Sequence, residues 1–120
     1  MVDTSIWVDH LRNGDKTLFA LLDSGSVLIH PFVVGELALG QLRQRETVLS
    51  ALLQLSRVNV ATDTEILHFI DHHALAGCGI GYVDTHLLAS AKLSPPAKLW
   101  TRDRRLFGVA HQLGLAMAPA

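Results

Sequence analysis

The chain has 120 residues, of which 49% are hydrophobic and 18% are charged, and its formal net charge is −1. This length suits a single domain, which we predict to span residues 1–120. No apolar run approaches the roughly 20 residues needed to cross a bilayer, so no membrane association is expected. The near-neutral charge gives no direct sign of a nucleic-acid partner. The hydrophobic fraction is high for one small core, so we expect another chain to cover part of the apolar surface.

In chain order, the pattern predicts a strand end at residues 1–3, helices at 5–11 and 17–22, and a strand at 27–29. It then predicts a helix that begins at Pro31, a helix at 46–55 and a strand at 58–60. Thr62 and Glu65 then form a capping box that opens a helix to about residue 75. The pattern next predicts a glycine-rich loop at 77–81, a helix at 84–91, a turn at 94–96, a strand at 98–100 and a helix at 106–113. Strands separated by helices predict an α/β sandwich around a parallel sheet.

Four acidic residues follow or interrupt apolar segments: Asp3, Glu36, Asp84 and Asp103. A carboxylate beside a buried segment is unfavourable unless something pairs with it, and no Lys or Arg in a matching context accompanies the first three. Ligands of open parallel sheets bind outside the carboxyl ends of the strands, and all four acids can face one cleft there. Because clustered carboxylates repel one another unless a divalent cation binds, a metal-dependent active site is the leading interpretation.

Four segments carry a recognisable pattern: residues 2–5 (VDTS) with Trp7 nearby, 35–37 (GEL), 79–91 (GIGYVDTHLLASA) and 101–103 (TRD). Together they resemble the PIN-domain ribonucleases, and especially the VapC-type toxins of bacterial toxin–antitoxin pairs. The resemblance covers nearly the whole chain in the right order. It implies a PIN-like α/β/α sandwich with a short central parallel sheet. It also implies an acidic pocket that binds Mg²⁺, or Mn²⁺, and hydrolyses RNA phosphodiester bonds.

The resemblance assigns metal binding and catalysis to Asp3, Glu36, Asp84 and Asp103. Asp3 and Asp84 are expected to be the principal ligands, and the other two acids to complete the site or to bind through water. Ser5 and Thr101 match hydroxyl residues near the pocket, which we expect to orient carboxylates or a bound water. Only two residues precede Asp3, whereas relatives usually have a longer first strand, so weak anchoring of this strand is expected.

Other residues have both a functional and a structural interpretation. His68 and His72 have the i, i+4 spacing of zinc ligands. Because no Glu follows His68, the zinc-protease pattern is incomplete, and we favour a solvated helix face that also includes His73. The alternating glycines of the loop at 77–81 precede no Gly-Lys-Ser/Thr, which argues for a mobile loop instead of a phosphate-binding loop. Cys78 in that loop has no neighbouring His and is interpreted as incidental.

Three aromatic residues, Trp7, Tyr82 and Trp100, could stack on nucleic-acid bases. Each lies in an apolar run, so packing in the core is favoured for all three. The single cysteine forms no internal disulfide, and no secretory signal precedes the domain, so a cytoplasmic protein is expected.

The sequence therefore predicts a Mg²⁺-dependent endoribonuclease that is the toxin half of a type II toxin–antitoxin pair. Its expected partners are an RNA substrate, a cognate antitoxin and a second copy of the chain. A structure-specific DNA nuclease is an alternative, because the same metal site cleaves either backbone. A catalytically silent RNA- or protein-binding PIN module is another, although such a module has no use for four clustered carboxylates.

Overall fold

The computed structural model describes residues 1–117. Its helices in this range are α1 (Thr4–Asn13), α2 (Lys16–Asp23), α3 (Pro31–Leu39), α4 (Arg45–Leu53), α5 (Asp63–His72), α6 (Tyr82–Leu93) and α7 (Arg104–Gln112). Two short strands, β1 (Leu28–Ile29) and β2 (Ser56–Arg57), pair in parallel. The predicted α/β class with a small parallel sheet is confirmed. Within residues 1–117 no helix is long and apolar enough to span a bilayer.

The strand predicted at residues 58–60 is wrong by two positions, because the paired residues are those of β2. Val58 contributes only its backbone N–H, which donates to the Ile29 carbonyl at 3.1 Å. Asn59 then leaves the sheet: its backbone N–H donates to Ser94 Oγ at 2.8 Å and its side-chain amide donates to the Leu93 carbonyl at 2.7 Å. These contacts with the end of α6 satisfy the polar groups that a longer strand would have paired.

The first segment of the chain is firmly paired, so the expectation of weak anchoring is wrong. Val2 forms a parallel bridge with Trp100, and the side chain of Val2 is buried. The Asp3 N–H donates to the Trp100 carbonyl, and the Trp100 N–H donates to the Met1 carbonyl, each at 2.9 Å. Hydrogen bonds on both sides of Trp100 set the register, which brings Asp3 next to Thr101.

Helix α6 lies at the centre of the domain. Every residue from Thr85 to Ala91 is buried. This part of the helix is therefore covered by protein on all its faces, whereas a surface helix buries only one apolar face. Leu87 and Leu88 have no exposed surface. Because Asp84 immediately precedes this buried stretch, the position of its carboxylate is determined by the packing of the core.

Two buried histidines pack around Phe32. The ring centroid of Phe32 lies 4.8 Å from that of His30 and 4.7 Å from that of His86. His30 Nδ1 accepts the Phe32 N–H at 2.9 Å and thereby caps α3. Burial, together with the charges of His86 and Arg57, lowers the pKa of His30 to about 4, and burial also lowers the pKa of His86. Both imidazoles are therefore neutral at physiological pH.

We predict that Leu88→Ala destabilises the protein far more than Leu67→Ala. Leu88 of α6 is fully buried, whereas 61% of Leu67 on α5 is exposed. Truncation of a buried leucine costs about 2–5 kcal/mol, because a cavity remains. Truncation of an exposed leucine usually changes stability by less than about 0.5 kcal/mol. Urea unfolding measures both values, and equal losses would contradict the central position of α6.

Candidate active site

Asp3 is a buried carboxylate held by three hydrogen bonds. Its Oδ1 accepts the Thr4 N–H at 2.7 Å, which makes Asp3 the N-cap of α1. Its Oδ2 accepts the hydroxyls of Thr101 at 2.8 Å and of Ser5 at 3.1 Å. Only 9% of the residue is exposed. Both hydroxyl residues singled out from the sequence thus donate to the same oxygen and orient it.

Glu36 reaches the same region from α3. The Thr4 hydroxyl donates to Glu36 Oε1 at 2.7 Å, which joins the first residue of α1 to the middle of α3. Thr4 follows Asp3 directly, so this contact places Glu36 close to the buried carboxylate. Sequence reasoning missed the contribution of Thr4, because its partner lies 32 residues away and no local pattern marks the contact.

Asp103 is linked to Asp3 through one hydroxyl. The Asp103 N–H donates to Thr101 Oγ1 at 3.1 Å, and the same hydroxyl donates to Asp3. Asp103 Oδ1 accepts the Leu106 N–H at 2.9 Å, so this acid also caps α7. Thr101 therefore ties together the two acids that lie furthest apart in the sequence.

Asp84 is the acid whose pKa is affected by the charges of the other three acids. Burial raises its pKa most, and the negative charges of Asp3, Asp103 and Glu36 raise it further. A hydrogen bond from the Gly81 N–H to Asp84 Oδ2, at 3.3 Å, acts in the opposite direction. The other three acids identified from the sequence are thus close enough to Asp84 for their charges to raise its pKa.

The chemistry of this cluster suits a hard divalent cation. The ion pairs found within residues 1–117 join Arg102 to Asp9 and to Asp15, so neither involves the four acids. Across the same residues no group of three or more acidic, histidine or cysteine side chains is arranged so that it could hold a metal ion. Mg²⁺ does not require three protein ligands, because it binds one or two carboxylates and keeps several waters or takes substrate phosphate oxygens.

The histidines of α5 do not form a comparable site. The rings of His68 and His72 stack with centroids 5.9 Å apart and an angle of 15° between their planes. Both residues are exposed and border a mainly apolar cavity of about 390 Å³ between α5 and α6. No third ligand joins them in the part of the chain that the structure describes.

The expectation that all three aromatic residues pack in the core is wrong for Tyr82. Trp7 is buried and Trp100 is half-buried against the core, but 52% of Tyr82 is exposed. Tyr82 is the first residue of α6, and its ring contacts His86 edge-on with centroids 4.8 Å apart. One side of the Tyr82 ring therefore faces solvent beside the helix turn that carries Asp84.

We predict that two acid-to-amide changes shift the stability of the metal-free protein in opposite directions. Asp84→Asn should raise it, because the substitution removes a carboxylate whose charged form is disfavoured by burial and by three like charges. Asp3→Asn should lower it, because both oxygens of Asp3 accept hydrogen bonds and an amide has only one acceptor oxygen, so its NH₂ group would face a donor in either orientation.

The gain from Asp84→Asn should depend on pH with a definite sign. The pKa of Asp84 is raised on folding, so ionisation above its ordinary pKa of 3.8 destabilises the fold. The gain should therefore be present at neutral pH and vanish as the pH falls toward that value. Thermal unfolding in EDTA measures both variants against the unmodified chain. A large loss of stability with Asp84→Asn at neutral pH would show that Asp84 is a structural acid.

Comparison with known proteins identifies the family of the chain. Ribonuclease VapC32 of Mycobacterium tuberculosis is 43% identical to the chain over 118 residues, in strain CDC 1551 / Oshkosh and in strain ATCC 25618 / H37Rv. The aligned residues cover 98% of this chain and 95% of the relative. No solved structure gave a significant match. The family model of the PIN domain matches residues 1–112. The chain therefore belongs to the PIN-domain family.

Proposed function

We propose that this chain is a metal-dependent endoribonuclease and the toxin of a type II toxin–antitoxin pair, acting on RNA in the cytoplasm. The observation that carries the proposal is the group of three acids whose charges act on Asp84, with no Lys or Arg paired to any of the four within residues 1–117. The name of the relatives, Ribonuclease VapC32, supports RNA as the substrate.

In the proposed site, Asp3 and Asp84 would be the principal residues that hold Mg²⁺, with Mn²⁺ as a substitute. Glu36 and Asp103 would complete the site or bind through water. A divalent ion held there would supply an activated water and neutralise charge on the phosphate oxygens. The protein contributes fixed positions: Ser5 and Thr101 hold Asp3 Oδ2, so little reorganisation is needed when substrate arrives.

The first test is the dependence of cleavage on metal and on the acids. We expect single-stranded RNA to be cut in Mg²⁺ or Mn²⁺ and not in EDTA. Asp84→Asn or Asp103→Asn should lower the rate by about 100-fold or more, because electrostatic stabilisation of the transition state is lost. Asp71→Asn is the matched control, since Asp71 is an exposed acid on α5. Cleavage that survives full chelation would exclude the metal mechanism.

The same assay separates the alternatives. Single-stranded and duplex DNA are tested in parallel with RNA under the same conditions. Preferential cleavage of DNA would support the structure-specific DNA nuclease instead. RNA binding without cleavage of any substrate would support a catalytically silent module.

A groove beside Glu36 supports the proposed antitoxin partner. It has a volume of about 580 Å³ and lies between α1, α3 and α4. Apolar side chains such as Val8, Leu11 and Leu37 line it together with Arg12 and Glu36 itself. We propose that an apolar antitoxin segment packs into this groove and places a basic side chain against the acids, because an Arg–carboxylate contact would block metal binding.

Large apolar side chains that remain exposed support the proposed homodimer. Leu39 at the end of α3 is 91% exposed, and Leu53 at the end of α4 is 71% exposed. Isolated exposed leucines are ordinary on protein surfaces, but leucines this exposed at the ends of two helices in contact are candidates for a subunit interface.

The second test is co-expression with the product of the neighbouring gene. We expect the neighbouring protein to copurify and to inhibit cleavage, and light scattering of the isolated chain to give the mass of a dimer. Leu11→Arg should weaken the complex, because a charge would be buried in the groove. Leu67→Arg on α5 is the control, since Leu67 does not line this groove. A stable monomer that ignores its neighbour would count against the toxin assignment alone.

A further inference from the structure

The arginines that flank Asp103 differ in what holds them. Arg102 is engaged by two carboxylates, those of Asp9 and Asp15. Arg105 on α7 forms no ion pair within the described residues, and its guanidinium lies instead against the backbone of Gly79 in the loop at residues 77–81. Arg105 is exposed to solvent, and no carboxylate within residues 1–117 forms an ion pair with it.

The side chain of Arg105 occupies the space that a Cβ atom of residue 79 would take. Such a Cβ atom would lie 2.8 Å from Arg105 Nη1 and 3.3 Å from Arg105 Cδ, so the guanidinium would have to move. Gly79 has a φ of +79°, which residues other than glycine rarely adopt, and this conformation accounts for the glycine. The loop thus forms a shallow seat on which the guanidinium lies.

The seat is close in the chain to two of the four acids. Gly79 is two residues before Gly81, whose N–H donates to Asp84 Oδ2 at 3.3 Å. Arg105 itself is two residues after Asp103. The ion pairs within residues 1–117 do not include Arg105, so its guanidinium is not used to neutralise the acids. This cation is therefore available to an anionic ligand.

We propose that Arg105, seated on Gly79, binds a phosphate of the RNA strand adjacent to the one that is cleaved, and so positions the strand over the acids. This inference rests on the proposed ribonuclease function. A polyanion that approaches four carboxylates is repelled unless a nearby cation offsets the repulsion. The planar guanidinium of Arg105 can donate two parallel hydrogen bonds to one phosphate.

The deciding experiment measures RNA binding as a function of salt. Fluorescence anisotropy of a labelled single-stranded RNA in EDTA, over a series of KCl concentrations, gives affinity without cleavage. Arg105→Gln should weaken binding about tenfold, as expected for the loss of one charge-assisted hydrogen-bonded contact. It should also reduce the slope of log affinity against log salt by about 0.7, the value for one phosphate contact on a single strand.

Matched variants separate phosphate binding from a structural role for Arg105. Arg104→Gln removes the same charge from the same helical turn and should weaken binding by about twofold or less, since it acts only through the screened general field. Arg105→Lys keeps the charge and should retain the salt slope. Gly79→Ala should displace the guanidinium and reproduce the effect of Arg105→Gln, and the double variant should be no weaker than Gly79→Ala alone. Melting temperatures verify that each variant is folded.

Steady-state cleavage in Mg²⁺ provides the second readout. Arg105→Gln should raise KM about tenfold and leave kcat within about twofold, because the lost contact is made in the ground state as well as in the transition state. An unchanged salt slope, or equal effects of Arg104→Gln and Arg105→Gln, would overturn the inference. So would an unmodified chain that binds no RNA at low salt. An unmodified chain that shows the expected binding and salt slope but cleaves nothing would support the inference and refute the proposed nuclease function.

Discussion

The structure depends on the parallel pairing of the first residues of the chain with the segment around Trp100, and on the carboxylate that this pairing buries. Asp3 and Thr101 lie 98 positions apart in the sequence and share a buried hydrogen bond of 2.8 Å. An unpaired buried carboxylate would be strongly unfavourable, but Thr4, Ser5 and Thr101 donate to both oxygens of Asp3. The pairing therefore joins the two ends of the domain through the residue proposed to hold the metal.

Three of the four acids also stabilise helices. Asp3 and Asp103 are the N-caps of α1 and α7, and Asp84 accepts a backbone N–H at the start of α6. The N-terminus of a helix carries a partial positive charge that favours a nearby carboxylate. Three helices that begin at one place thus offset part of the repulsion among these acids. Capping and metal binding are compatible roles, because a carboxylate has enough lone pairs to accept an N–H and still face a cation.

The arginines near the cluster are held away from its carboxylates. Arg102 contacts Asp9 and Asp15, and Arg105 lies on the backbone of Gly79. A guanidinium paired directly with Asp84 would lower the pKa of that carboxyl and compete with a metal ion. Instead burial and like charges raise the pKa of Asp84. The divalent cation proposed to bind there would offset the effect of these like charges on Asp84.

Local interactions allowed much of this protein to be predicted from its sequence. Three predicted features depend on residues close together in the chain. They are the capping box of Thr62 and Glu65, the proline at the start of α3 and the alternation of helices with short strands. The acidic residues were recognisable because each interrupts or follows an apolar segment. Only the tertiary structure decided five other features. They are the register of β2, the hydrogen bond from Thr4 to Glu36, the buried pair of His30 and His86, the exposure of Tyr82 and the seat of Arg105. Each of these depends on packing between segments far apart in the chain, for which a single sequence carries no local signal.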